Sequence, residues 1–183
     1  FSVDVTGAPN EASTPITLPM IYTSSGTPAA DGWNLVSNPV PSPIAFDSIS
    51  LGSAVLSQYW IFNPVNGTSQ TYSAGVGQGN VDGKIQSSQG FWLQATGSNV
   101  TTTVSEADKV DMHTGGVFGG SQQAVRPIVR LFVSSTINTF SDEATIVFDQ
   151  GTPGNDPMDA RKMPFRTGGA PLISAQAQNG DNL

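Results

Sequence analysis

In the stretch FDQGTPGNDPMDA, Asp149, Asn155, Asp156 and Asp159 gather oxygen-bearing side chains into one loop. Hard cations take oxygen ligands in adaptable geometry, so this set is the candidate for a structural calcium that pins a loop; its spacing is not that of a helix–loop–helix calcium site. The same residue types also cap turns, and Asp156-Pro157 suits the opening of a short helical piece. A second acidic stretch, SEADKVDMH, holds Glu106, Asp108 and Asp111 around Lys109 and reads as a solvated strand edge, where a lysine discourages sheet-to-sheet pairing.

Binding chemistry of another kind is suggested by the tryptophans. Trp60 in YWIF and Trp92 in GFWLQ are candidate platforms for stacking sugar rings, with Asn34 and Asn38 as amide partners beside the stiff loop that follows them. That loop, in GWNLVSNPVPSPIAF, places Pro39, Pro41 and Pro43 at alternate positions, which fixes φ and removes donors, so it is neither helix nor interior strand. The competing reading is structural: Trp33 and Leu35 point into the core, Asn34 and Asn38 cap the departing loop, and the prolines hold it extended as a brace. YWIF and GFWLQ each carry aromatics at adjacent strand positions, hence on opposite faces, so one of each pair is expected to be buried.

Catalytic constellations are weak. Glycoside hydrolysis needs two carboxyl groups across a cleft, and the chain has 14 Asp and Glu. Asp142 and Glu143 are neighbours in a strand and so project to opposite faces; no spacing selects Asp149 or Asp111 as a partner. The one histidine, His113, sits in the glycine-rich MHTGGVFGGSQQ, there is no cysteine, and no Gly-x-Ser-x-Gly elbow occurs. The expectation is that the chain is not an enzyme.

The elements that must position these residues are short. Runs rich in Val, Ile, Thr, Phe and Trp, closed by Gly, Pro, Asn or Asp, recur along the chain and make about ten strands. YWIFNPVNGTSQTYSAG is the clearest hairpin, with Asn66-Gly67 supplying its turn. Apolar periodicity of the helical kind is missing, with helix-tolerant pieces only around 48–58 and 157–162. The fold class is therefore all-β, an antiparallel two-sheet sandwich of jelly-roll type with little helix, because a single open sheet would leave an apolar face wet. Residues 1–183 are expected to form one such module, a fragment of a larger modular protein, with 112–123 as a mobile loop. FSVDVT at the start alternates as a strand would and could be donated to another copy.

Composition narrows the partners. Only 11% of the 183 residues are charged and the net charge is −7 with seven Lys and Arg, so no basic stripe exists to neutralise phosphates and nucleic acid is not an expected partner. No run of about 18 apolar residues suggests membrane insertion. The absence of cysteine excludes disulfides and thiolate metal sites.

The ordered set GWNLVSNPVPSPIAF, YWIFNPVNG, IQSSQGFWLQATG and SDEATIVFDQGTPGNDPMDARKM resembles a β-rich module of large secreted Bacteroidota surface proteins exported by the type IX secretion system. The resemblance spans about residues 32–183 and leaves 1–30 outside it; Val40 replaces a usual aromatic, and Ala45-Phe46 a usual Asp-Trp. It implies an extracellular or cell-surface location, neighbouring domains of a parent protein, and no known reaction. It also implies that Ser48, in Asp47-Ser48-Ile49, is a candidate for O-glycosylation. The function expected from all of this is a non-catalytic extracellular module in adhesion or surface assembly. A carbohydrate-binding module using exposed Trp, and a fibre subunit joined by edge-strand pairing, are the alternatives; partners are then other domains, copies of the chain, or surface glycans.

Overall fold

The computed structural model describes residues 6–98, 100–111, 126–149, 151, 154, 156, 158–163 and 166–183. Strands β1 (Ile16–Leu18), β2 (Trp33–Ser37), β3 (Ile44–Ala45), β4 (Ser50–Leu51), β5 (Gln58–Asn63) and β6 (Thr68–Ser73) are followed by β7 (Val76–Gly77), β8 (Lys84–Ile85), β9 (Gly90–Gln94), β10 (Thr102–Val104), β11 (Ile128–Ser134) and β12 (Ser141–Val147). The only helical pieces among the described residues are the one-turn 3-10 segments Phe46–Ser48 and Glu106–Asp108. The chain is thus all-β and sandwich-like. Pairing is antiparallel throughout and divides the strands into a five-stranded sheet ordered β2-β9-β5-β6-β7, a three-stranded sheet β1-β10-β4, and the ribbons β3-β8 and β11-β12.

The β5–β6 hairpin forms at the expected place. Asn63 faces Thr68, and the Gly67 amide donates to the Asn63 carbonyl at 2.9 Å. Gly67 has φ +71°, and a Cβ there would stand 2.9 Å from the Phe140 ring, so glycine satisfies both the turn and the packing.

One face of the five-stranded sheet presents Val36, Tyr59, Tyr72, Phe91 and Leu93 to a second layer holding Leu18, Val104, Ile44, Phe46 and Ile85, all buried in one cluster. Its centre is aromatic: the Phe46 and Tyr59 rings lie 4.8 Å apart and those of Tyr59 and Tyr72 5.4 Å apart. Each such ring contributes about 1.5–3 kcal/mol by leaving water. Both phenols keep a partner: Tyr59 Oη accepts from the Gly83 amide at 3.1 Å, and Tyr72 Oη donates to Asp47 Oδ2 at 2.5 Å. Burial raises the pKa of both phenols, and the Asp47 carboxylate adds to this at Tyr72. A raised phenol pKa means the folded chain favours the neutral form. That stability is complete below the ordinary tyrosine value of about 10 and is lost as pH climbs above it. Alkaline titration is expected to unfold the chain cooperatively, with tyrosinate absorbance rising in the same step. Tyr72→Phe should reduce that pH dependence.

The opposite face of this sheet is polar but not wet. Gln58, Thr71, Ser73, Ser69 and Gln94 are buried there, and the segment 158–163 runs across them. Ser73 Oγ donates to the Met158 carbonyl (3.0 Å), Gln58 Nε2 to the Asp159 carbonyl (2.7 Å), and Ser69 Oγ to Met163 Sδ (3.1 Å). Lys162 continues the attachment, its Nζ 2.6 Å from Asp142 Oδ1 in β12, and its amide donating to the Asn182 carbonyl. Side-chain hydrogen bonds from the strands therefore satisfy the main chain of a covering segment that has no strand of its own.

Candidate functional site

The tryptophans do not form the exposed platform that sugar stacking requires. Trp60 is fully buried, donates Nε1–H to the Arg161 carbonyl at 2.9 Å, and meets the Trp33 ring edge-on at 4.6 Å. Trp92 lies beside it on the same face, half-buried and opposite Leu35. Tyr59 and Trp60 are both buried, not one of the two, because segment 158–163 closes the face that the alternation alone would leave in solvent.

Asn34 and Asn38 are likewise corrected from ligand partners to internal braces. Asn34 Oδ1 accepts from the Ile21 amide and its Nδ2 donates to the Ile21 and Gly32 carbonyls, each at 2.8 Å, so the side chain stands in for a strand's peptide group. Asn38 Nδ2 donates to the carbonyls of Ser42, Ile85 and Gln86, while Oδ1 accepts from Val40 N at 3.0 Å. The proline loop is held from within, as the brace reading expects. The phase of β2 is nevertheless the reverse of the expectation: Asn34 and Val36 are buried, and Leu35 is 61% exposed.

Of the proposed calcium ligands, Asp149, Asp156 and Asp159 do line one cleft, of about 210 Å³, between β6, β12 and the C-terminal segment. Asn155 lies outside the described residues. Asp149 pairs with Arg126 at 3.3 Å, Asp159 Oδ2 accepts from the Asp156 amide at 3.0 Å, and Asp156 Oδ1 accepts from the Met158 amide at 2.8 Å. These are turn-capping and ion-pair roles, and among the described residues no group of three His, Cys, Asp or Glu stands close enough to hold a metal. Asp108, expected on a solvated edge, instead caps a 3-10 turn, accepting from Ser105 N at 2.6 Å. Asp142 is buried and Glu143 half-buried on the two faces of β12, as their adjacency requires. Ser48 is exposed at the end of its turn. His113, the stretch 112–123 expected as a loop, and residues 1–5 of the expected strand FSVDVT fall outside the described residues; Thr6 is exposed and in no strand.

Sequence reasoning did not single out the outer edge of β11. Its register with β12 runs from Ile128 opposite Val147 to Ser134 opposite Ser141. Beyond either end, Phe148 N donates to Pro127 O and Ser135 N to Phe140 O. In an antiparallel ladder hydrogen-bonded pairs alternate with non-bonded ones, so Val129, Leu131 and Val133 bond to β12 and the N–H and C=O of Ile128, Arg130, Phe132 and Ser134 point away from it. Among the described residues β12 is the only strand beside β11. Val129, Leu131 and Phe132 are 42%, 43% and 68% exposed there. The signal available in the sequence was RPIVRLFVSS itself, a long apolar run with a single charge in its middle.

No helix among the described residues is long and apolar enough to cross a membrane. Compared with known proteins, the chain matches no family model, no curated protein sequence and no solved structure.

Proposed function

We propose that this chain is a non-catalytic module of a secreted or cell-surface assembly that joins a second copy of itself through the open edge of β11. The observation that carries the reading is the edge itself: seven residues long, bonded on one side among the described residues, with exposed apolar side chains and no proline within it to blunt pairing. The strand is also self-complementary. Antiparallel pairing about a two-fold at Leu131 sets Leu131 against its copy, Val129 against Val133, and Arg130 against Phe132. The first two contacts are apolar, and the third places a guanidinium by an aromatic ring. Such a closed, isologous contact makes a dimer, whereas an open-ended polymer requires a different, head-to-tail contact. The extracellular setting rests on the resemblance and on a surface that is polar with few charges; the non-catalytic reading rests on the engagement of Asp142 and Glu143 in ion pairs.

Light scattering over a concentration series tests this. The wild-type chain is expected to reach twice its monomer mass, and Val129→Lys/Leu131→Lys, which puts two like charges on the pairing edge, to weaken association at least about tenfold. A monomer at every concentration, or a polymer unaffected by the lysines, contradicts it.

A further inference from the structure

A second cleft, of about 370 Å³, opens between the β5–β6 turn, the Gln78–Asn80 turn and the ribbon β11–β12. Among the described residues, the side-chain amides of Asn66, Gln70 and Asn80 line it with no hydrogen bond to the protein. Gln70 reaches its place across Gly79: a Cβ at that residue, whose φ is +57°, would stand 1.8 Å from Gln70 Nε2, so glycine there opens the path of the amide. The rim carries the Phe132 ring, 68% exposed.

The charged groups in the cleft are already engaged. The Glu143 carboxylate accepts from Arg130, from Thr145 Oγ1 at 3.0 Å and from Gly79 N at 3.1 Å. Asp142 accepts from Lys162 Nζ at 2.6 Å and from Ile173 N at 2.9 Å. What the cleft offers is therefore a set of neutral groups, each amide able both to donate and to accept, next to one aromatic face. A hydroxyl also does both, and a pyranose ring adds an apolar C–H face for Phe132; a cleft of this size is within the range of small-ligand sites.

We infer that this cleft binds an uncharged saccharide unit, through the amides of Asn66, Gln70 and Asn80 and the ring of Phe132. The site is separate from the Trp60 and Trp92 face; it shares the Phe132 ring with the β11 edge, and its amides lie outside that edge.

The test is titration of the isotope-labelled full chain with cellobiose, maltose, mannobiose, galactobiose and diacetylchitobiose, followed by backbone-amide NMR shifts. At least one disaccharide is expected to shift Asn66, Gly79 and Asn80 selectively and saturably. Asn80→Ala, on an exposed turn where no fold contact is lost, should weaken binding several-fold, and Asn66→Ala/Gln70→Ala/Asn80→Ala at least about tenfold. Val129→Lys/Leu131→Lys, whose side chains lie on the other face of the ribbon and whose loss of pairing leaves the Phe132 ring open, should bind at least as tightly as the wild type does, which separates this inference from self-association. No shift with any of the five sugars overturns it. So does a shift centred elsewhere, binding unchanged in Asn80→Ala and in the triple variant, or the same residues responding only to an uncharged asparagine- and glutamine-rich peptide.

Discussion

Replacing Asp142 with Ala is expected to lower the unfolding free energy by about 3–5 kcal/mol, the usual cost of leaving a buried charge uncompensated. The side chains of Asp142 and Lys162 are 2% and 7% exposed, and the ammonium sits 2.6 Å from Oδ1. Asp142 also receives the Ile173 amide, and Lys162 donates to the Glu143 carbonyl at 3.1 Å, so the pair ties β12 to two separate parts of the C-terminal segment. Lys162→Met should cost less, because the aliphatic stem is kept while a carboxylate with one remaining amide partner stays behind. The double variant Asp142→Leu/Lys162→Met should recover much of the loss, since two apolar groups of similar volume need no compensation. Urea unfolding midpoints measure all three. A loss below about 1 kcal/mol in Asp142→Ala would mean that the pair is screened as surface pairs are.

Trp60→Ala is expected to cost a similar amount, about 3–5 kcal/mol, from the cavity left by a fully buried indole. Trp60→Phe keeps most of the volume and loses the bond to the Arg161 carbonyl, so about 1 kcal/mol plus a packing adjustment should go. The diagnostic readout is local. With the 158–163 segment released from the sheet, trypsin should cut after Lys162 faster in Trp60→Ala than global stability alone accounts for. In the wild type, indole fluorescence should be poorly accessible to acrylamide at Trp60. Ready quenching of that residue would restore an exposed platform and count against the buried geometry.

Which parts of this arrangement were legible in the sequence follows from the range of each interaction. The β5–β6 hairpin was readable because Asn66-Gly67 and the flanking aromatics lie within one short window. The phase of β2 was not: WNLVS offers Trp and Leu for one face and Asn and Val for the other, and size alone favours the wrong pair. Asn34 and Asn38 are buried because each replaces missing main-chain partners; some are close, Val40 and Ser42, but Ile21, Ile85 and Gln86 are 13, 47 and 48 residues away. The partner of Trp60 is more distant still, 101 residues away, and it converts a face that alternation would leave open into a closed one. Asp149, Asp156 and Asp159 of the acidic loop share a cleft without forming a metal-holding group among the described residues; Asp and Asn in a loop carry no mark that separates ligation from turn-capping. RPIVRLFVSS read as a strand; that its outer edge has no neighbouring strand among the described residues depends on sheet order, which local pattern does not encode.

The pairing of β11 with its copy is tested most directly by hydrogen exchange resolved to single amides. At concentrations where the chain associates, the amides of Ile128, Arg130, Phe132 and Ser134 should become protected, and dilution or Leu131→Lys should release them. The amides of Val129, Leu131 and Val133, bonded to β12, should stay protected throughout. If the four outward amides exchange as fast as those of exposed turns at every concentration while their β12-facing neighbours remain protected, the edge pairs with nothing and the proposed assembly is wrong.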